Sequence, residues 1–328
     1  MTAVQILGKV MRGKDIEIEE AKLLANPEFV TLDELAQAAN QITLQNFGNK
    51  VSMCAIYPAK VGLCSGDCAF CSQSAHHSCD VSILNVDDLN ENEIIENAKE
   101  LNHRGVSRYS LVTSGEYLTD EEFERICHIF DRLSKETNVG LCASLGKLTT
   151  SRAHKLKNVG VSRYHHNVET SRSYFPQICT THSYDDKLET IRIAREAGMT
   201  VCSGGIIALG ESMEQRIEMA FELENLDVDC VPINILNPIA GTRLEKQKPL
   251  TTEEILRTIA LFRLIMPDRA LRLAGGREKA LDSEEYRVYT VGINAIIAGN
   301  YLTTSGKSFE AEMKNLEISG RVNHLELP

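Results

Sequence analysis

Eight short runs rich in β-branched and apolar residues recur along this chain, separated by stretches with helical periodicity. They are Val51–Tyr57, Arg108–Thr113, Val139–Leu145, Arg163–Val168, Thr200–Leu209, Cys230–Leu236, Ala270–Ala274 and Ile293–Gly299. Among the helical stretches, Asp185–Ala197 has Ser183 nearby as a cap and Gly198 as a stop. Thr252–Ile265 follows Thr251, which has capping-box spacing to Glu254. Strands alternating with helices build a parallel sheet covered by helices, and eight such units close into an α/β fold, the (β/α)8 TIM-type barrel. An open doubly wound sheet is the alternative, and the strand count favours the barrel. Residues 1–46 read as an N-terminal helical extension, in which Asp33–Ala39 supplies a turn or two. Residues 47–310 read as the barrel and 311–328 as a C-terminal tail packing on it.

Charge and patterning remove several classes of function. The net charge of −11 argues against a nucleic-acid or anionic-membrane partner. No run approaches about 18 consecutive apolar residues, so no membrane span is expected. The start, MTAVQILGKVMRGKDIEIEEAK, is amphipathic and charged, unlike a secretory signal. Ten cysteines follow no regular disulfide framework, which points to a reduced, cytoplasmic protein.

Three of those cysteines carry the chemistry. Cys64, Cys68 and Cys71, in CSGDCAFC, form a C-x3-C-x2-C triplet on the loop after the first strand. Three thiolates this close can each bind one iron of a [4Fe–4S] cube. A cube has four irons, so one is left without a protein ligand. An open iron can chelate the amino and carboxylate groups of S-adenosylmethionine (SAM) and pass one electron into its sulfonium. The C–S bond then breaks and leaves a 5′-deoxyadenosyl radical. Active sites of these barrels lie at the C-terminal ends of the strands, so a cube here would cap the open end. The alternative is tetrahedral zinc, with His76 or His77 completing a Cys3His site.

Cys54, Cys142, Cys202 and Arg272 fall near the beginnings of the first, third, fifth and seventh strands. Barrel interiors are filled in layers of four side chains taken from alternate strands. The four therefore can form one inward layer below the open end. Three thiols and a guanidinium make a poor apolar layer, and an unpaired buried arginine costs on the order of several kcal/mol. An anionic, sulfide-bearing cluster would supply the counter-charge and use the thiols. Inert core cysteines are the alternative. Cys79, Cys127 and Cys230 lack this alignment and read as structural, while Cys179, in QICTTHSYDD, stands as a reserve ligand.

From about Gln41 onward the chain resembles the biotin synthases, a family of radical-SAM enzymes. The resemblance rests on CSGDCAFCSQSAHH, RYHHNVETS, REAGMTVCSGGIIALGES, LRLAGGRE and GNYLTTSG. Phe70 stands where the radical-SAM signature usually has an aromatic residue. The resemblance implies a homodimeric barrel that inserts sulfur between two unactivated carbons of dethiobiotin, with an electron donor of the flavodoxin or ferredoxin type. It implies that Asn167 and Glu169 hold the SAM ribose and that Gly204, Gly205 and Gly210 form a wall on the adenine side. It also implies that Asn234 and His165 meet the ureido ring of the substrate, and Thr303 and Thr304 its carboxylate tail. An auxiliary cluster, [2Fe–2S] or larger, would lie on Cys142, Cys202 and Arg272.

Some positions depart from the family pattern. Ser110 replaces the family's second-strand cysteine, and Cys54 is the candidate substitute, which admits a larger cluster. Glu169 stands for a commoner aspartate, His165 for a common asparagine, and Ala208 for a glycine. Two rival readings remain at this stage. One is a related radical-SAM enzyme acting on another small molecule, of the amino-acid mutase or metal-cofactor maturase type. The other is a non-enzymatic iron–sulfur carrier or a zinc-stabilised binding protein. A carrier has no use for the Asn167/Glu169 pair and the glycine turn.

Overall fold

In the computed structural model, which describes residues 1–299 and 306–324, every strand pairing of the barrel is parallel. The first four positions are β1 (Lys50–Lys60), β2 (Arg108–Thr113), β3 (Gly140–Ser144) and β4 (Val161–His165). The fifth is split into β5 (Thr200–Cys202) and β6 (Gly205–Ile207). Then come β7 (Cys230–Ile235), β8 (Ala270–Leu273) and β9 (Ala295–Ile297) at positions six to eight. β9 pairs with β1, which closes the sheet, so the fold is the (β/α)8 barrel.

The division of the fifth strand corrects the single run expected over Thr200–Leu209. The register places Gly204 opposite Pro232 of β7. Proline has no N–H for the ladder. The backbones also close up there: a Cβ on Gly204 would lie 2.0 Å from the Pro232 carbonyl oxygen. The ladder therefore breaks for two residues and resumes in β6.

Three helices precede the barrel: α1 (Ala3–Met11), α2 (Ile18–Ala25) and α3 (Leu32–Phe47). α3 is longer than the turn or two expected. Its Thr31–Glu34 capping box starts it, and Leu35, Ala38, Ile42 and Phe47 give it a buried face that continues well past Ala39. Between the strands run α4 (Glu91–His103), α5 (Asp120–Glu136), α6 (Thr150–Asn158), α7 (Phe175–Ile178), α8 (Tyr184–Glu196), α9 (Met213–Asn225) and α10 (Thr252–Ile265). α3 packs on α10, and α2 on α9 and α10. Arg257 of α10 is buried under this extension and donates to the carbonyls of Leu24 (3.3 Å) and Val30 (3.1 Å). The caps read from the sequence are present: Ser183 accepts from Asp186 N, and Thr251 and Glu254 form the capping box. No helix among the described residues is long and apolar enough to cross a membrane.

After β8 come a short α11 (Arg277–Ala280) and a 3-10 stretch over Asp282–Thr290. α12 (Phe309–Ile318) then leads into β10 (Val322–Asn323), which pairs with Lys50 and Val51. A buried ion cluster ties α12 down. Arg277, itself fully buried, pairs with Glu312 of α12 and lies 3.5 Å from Glu285, which also meets Lys307 at 2.6 Å. Burial and the nearby carboxylates push the Glu312 pKa up from 4.5 to about 7, against the pull of Arg277. A carboxyl whose folded pKa is raised binds its proton more tightly in the folded chain. Its contribution to stability is therefore greatest below pH 4.5 and is lost as pH rises through 7. At about 1.4 kcal/mol per unit the loss is at most ~3 kcal/mol. Glu312→Gln should flatten the fall in stability between pH 5 and pH 8, measured by denaturant unfolding against wild type; an unchanged slope would remove Glu312 as its source.

Candidate functional site

A cavity of about 410 Å³ fills the upper barrel, and Cys54, Cys142, Cys202 and Arg272 all line it. Strand register explains the convergence and adds to it. Cys54 pairs with Arg108, Cys142 with Arg163, and Cys202 with Cys230. Partners in register point to the same face, so the even strands bring two arginines and a fourth thiol towards the layer. Arg108 and Arg163 line the cavity as well. Arg272 donates to Ile296 O at 2.7 Å and lies 3.4 Å from Cys230 Sγ.

The electrostatics of this layer are one-sided. Three arginines and no carboxylate are found among the lining residues. Burial works against the Arg272 charge, but the thiols of Cys54, Cys230 and Cys202 outweigh it and hold its pKa above the ordinary value. Cys54 is pushed up to about 11, mainly by burial. Cys202 and Cys230 share a hydrogen bond, which lowers Cys230 and raises Cys202; the arginine charges draw both down. Soft sulfur donors surrounded by guanidinium suit an anionic iron–sulfur cluster. Ser110 Oγ, at the same cavity, is buried without a hydrogen-bond partner among the described residues.

The triplet loop covers the open end. Phe70, Cys71, Ser72 and Gln73 line the cavity from above. The loop folds on itself through Cys64 N to Gln73 O (2.9 Å), Ala75 N to Cys64 O (2.8 Å) and Ser74 Oγ to Gly66 O (2.6 Å). Asp67 locks it to the chain after α7, accepting from Thr180 N at 2.8 Å and Thr180 Oγ1 at 2.6 Å. Burial pushes Cys71 up to about 11. His76 and His77, named for the zinc alternative, turn to backbone carbonyls instead: Nε2 of His76 to Ser65 O, and Nδ1 of His77 to Cys71 O. His182 instead brings a ring nitrogen within 4.8 Å of the Cys68 and Cys179 sulfurs.

Family models and relatives agree with this geometry. Residues 61–223 match the Radical SAM superfamily, and residues 232–321 match the Biotin and Thiamin Synthesis associated domain. The chain is 49% identical to the biotin synthase of Caldicellulosiruptor bescii, covering 93% of this chain and 90% of that one. It is 47% identical to that of Acetivibrio thermocellus, covering 95% and 96%. Against that of Pelotomaculum thermopropionicum it is 46% identical, covering 94% and 96%. The chain belongs to the biotin synthase family. The same barrel is seen in methylornithine synthase, with a TM-score of 0.83, 20% identity and 97% of each chain covered. It recurs in a maturase of the [FeFe]-hydrogenase, with a TM-score of 0.84, 20% identity, and 99% of this chain and 76% of that one covered. At such identity these two show the fold alone.

The remaining positions implied by the biotin synthase resemblance divide into groups. Asn167, His165 and Asn234 line the cavity. Asn167 Oδ1 accepts from Gly204 N at 3.1 Å, and its amide nitrogen lies 3.4 Å from Glu169 Oε2. Glu169 has φ of 72° and pairs with Gly205 in an isolated bridge, which holds this turn against the break in the fifth strand. Asn234 donates to Gly205 O (3.2 Å) and accepts from Gly275 N (3.1 Å). His165 Nδ1 is 3.4 Å from Cys202 Sγ, and burial, with the Arg272 and Lys187 charges, lowers its pKa to about 4. Gly204 and Gly205 sit beside Asn167 and Glu169, Gly204 against the Pro232 backbone and Gly205 against the Met219 sulfur and the Glu169 carbonyl, while Gly210 packs near Tyr174 and Gln247. None of the three glycines lines the cavity. Thr303 and Thr304 lie outside the described residues.

Sequence reasoning missed Arg108, Arg163, Cys230 and His182. Their signal was faint: a lone arginine or histidine carries no motif, and Cys230 stands on an even strand. Gly204→Ala tests the close approach that creates the Asn167 turn. Its Cβ would meet the Pro232 carbonyl, and overpacking of this kind costs about 1–3 kcal/mol. A fall of that size in urea unfolding is the expected outcome; an unchanged midpoint would mean that Pro232 gives way freely.

Proposed function

We propose that this chain converts dethiobiotin to biotin by radical-SAM sulfur insertion, with Cys64, Cys68 and Cys71 holding the SAM-binding [4Fe–4S] cube. The observation that carries the reading is one cavity that has the triplet loop at its open end and a layer of thiols and arginines at its base. An auxiliary iron–sulfur cluster fits that layer, on Cys54, Cys142 and Cys202 with Arg272, and Cys230 as the adjoining thiol. When bound, the cube supplies the electron that cleaves SAM, and the auxiliary cluster supplies the sulfur.

The chain's own residues supply placement, charge and exclusion of water. Asn167 and Glu169 hold the SAM ribose from the turn after β4. Lys187 Nζ, 3.7 Å from Glu169 Oε1, restrains that carboxylate. Gly204, Gly205 and Gly210 act through the backbone path of this wall rather than by contact. Asn234 is fixed at both ends of its amide and keeps its second N–H for a ureido oxygen. His165, neutral at physiological pH, serves as an uncharged partner for the same neutral ring. Thr303 and Thr304 receive the carboxylate tail. Arg272, anchored on Ile296 O, keeps a positive charge against the sulfur-donating end. Phe70 and Cys71 close the cavity over the reacting carbons, which keeps them out of bulk water.

The reading includes a homodimer, a flavodoxin- or ferredoxin-type donor, and a cytoplasmic setting. Dependence on an outside electron supports the donor, and ten free cysteines support a reducing compartment. The cofactor count tests the whole. Reconstituted wild type should carry more than about four irons per chain. Cys54→Ala should lower the count towards the cube's own and retain reductive SAM cleavage while losing biotin formation. Cys64→Ala, Cys68→Ala or Cys71→Ala should each abolish deoxyadenosine production in a folded protein. Wild-type deoxyadenosine rates in any triplet variant, or equal iron counts in wild type and Cys54→Ala, would defeat the corresponding assignment.

A further inference from the structure

Beside Cys68 of the triplet stand two ligands that the sulfur-insertion reading leaves unused, Cys179 and His182. The side-chain donor atoms of Cys68, Cys179 and His182 all lie within 4.8 Å of one another. Cys179 follows α7, and His182 stands in the turn before α8. Cys179 Sγ is 3.3 Å from His182 Nδ1 and 3.6 Å from Nε2. A tetrahedral ion with bonds of about 2.0–2.3 Å needs donor atoms roughly 3.3–3.8 Å apart, so little movement completes the set.

The surroundings are those of a ligand site. His182 Nδ1 is 3.1 Å from Glu116 Oε1, so a ring N–H given to that carboxylate would leave Nε2 for a metal. Asp67 Oδ1 lies 3.3 Å from Cys179 Sγ and also accepts from Thr180 N and Thr181 N. One carboxylate thus fixes the triplet loop and the Cys179–His182 turn together. Cys179 is buried and the His182 side chain is nearly so. Neither residue lines the barrel cavity.

We infer that Cys68, Cys179 and His182 form a site for one divalent ion of borderline softness, Zn²⁺ or Fe²⁺, in the chain before the cube is present. Two thiolates and an imidazole are the donor set that such ions prefer, and three protein ligands leave the fourth position to water. The inference rests on the cube occupying the triplet, because Cys68 belongs to both. The ion and the cube therefore exclude one another, and building the cube releases Cys179 and His182. Iron held there is placed one sulfur away from where it is needed. Zinc outranks ferrous iron at such donors, so zinc would oppose cube assembly.

Cobalt is the probe, since a thiolate-bound tetrahedral Co²⁺ is coloured. The full chain, free of clusters, reduced and anaerobic, is titrated with Co²⁺ alone. Wild type should show thiolate-to-cobalt charge transfer and visible tetrahedral bands. Cys179→Ser and His182→Gln should each lose one cobalt equivalent or bind it about tenfold or more weakly. Cobalt bound at the barrel thiols is common to all three proteins and cancels in the comparison. Both variants should still take up cube iron to the wild-type level, and wild type already carrying the cube should lack this cobalt equivalent. Unchanged cobalt binding in both variants overturns the inference and leaves the cube assignment intact. Loss of cube iron in Cys179→Ser overturns it too, since Cys179 would then be a cube ligand. Equal cobalt binding with and without the cube overturns the mutual exclusion.

Discussion

Positive charge placed inside the barrel, with only thiols to meet it among the described lining residues, is the constraint on which this structure turns. Arg108, Arg163 and Arg272 line one cavity, and no carboxylate stands among its described lining residues. Guanidinium does not shed its proton to escape burial, so the charge has to be matched rather than neutralised. The thiols alongside match it only when deprotonated, and burial opposes that for Cys54. An anionic sulfide-bearing occupant resolves both problems at once. It brings negative charge to the arginines and metal to the thiols. Such an occupant binds the folded chain alone, so its free energy of binding adds to folding stability. The barrel and its auxiliary cluster are therefore thermodynamically linked.

The same cavity is shaped by one irregularity of the sheet. Pro232 interrupts the ladder of the fifth position, and Gly204 and Gly205 pack against the carbonyls of Pro232 and Glu169. That close packing lets Asn167 accept from Gly204 N and lets Asn234 reach across to Gly205 O. Two polar side chains, one in the turn after β4 and one on β7, are thereby fixed by backbone rather than by each other. Their remaining hydrogen-bonding capacity stays directed at the cavity. Above them, Asp67 fastens the triplet loop to the chain after α7, so the loop after β1 and the one after β4 form a single cover.

Much of this was legible in the sequence, for identifiable reasons. The triplet is local, so its spacing alone carries the chemistry. The layer of Cys54, Cys142, Cys202 and Arg272 was legible because barrel geometry repeats every second strand. Register was not legible, and with it went Arg108, Arg163 and Cys230, whose approach depends on the pairings Cys54–Arg108, Cys142–Arg163 and Cys202–Cys230. The length of α3 was hidden because its buried residues past Ala39, namely Ile42, Thr43 and Phe47, are interrupted by the polar Asn40, Gln41, Gln45 and Asn46. The fifth strand was read as one run since apolar residues flank Ser203 and Gly204 on both sides, while the proline that breaks the ladder lies on another strand. His182 stood unnoticed because its neighbours in sequence are polar loop residues, and only the fold brings it to Cys68.

Cys230 and Ser110 are best understood together. Ser110 occupies the place where the resemblance implies a cysteine, and its hydroxyl is buried with no partner among the described residues. A hard, neutral hydroxyl is a poor iron ligand beside thiolates. Position six carries a further buried thiol, Cys230, with Arg272 Nε 3.4 Å from its sulfur. The barrel thus offers thiols from positions one, three, five and six. Among these thiols Cys202 also meets His165, whose Nδ1 lies 3.4 Å from its sulfur. Ser110 lines the same cavity as Val112 and Thr113 of β2, so that side presents a hydroxyl and a methyl-bearing surface where β1, β3 and β5 present sulfur.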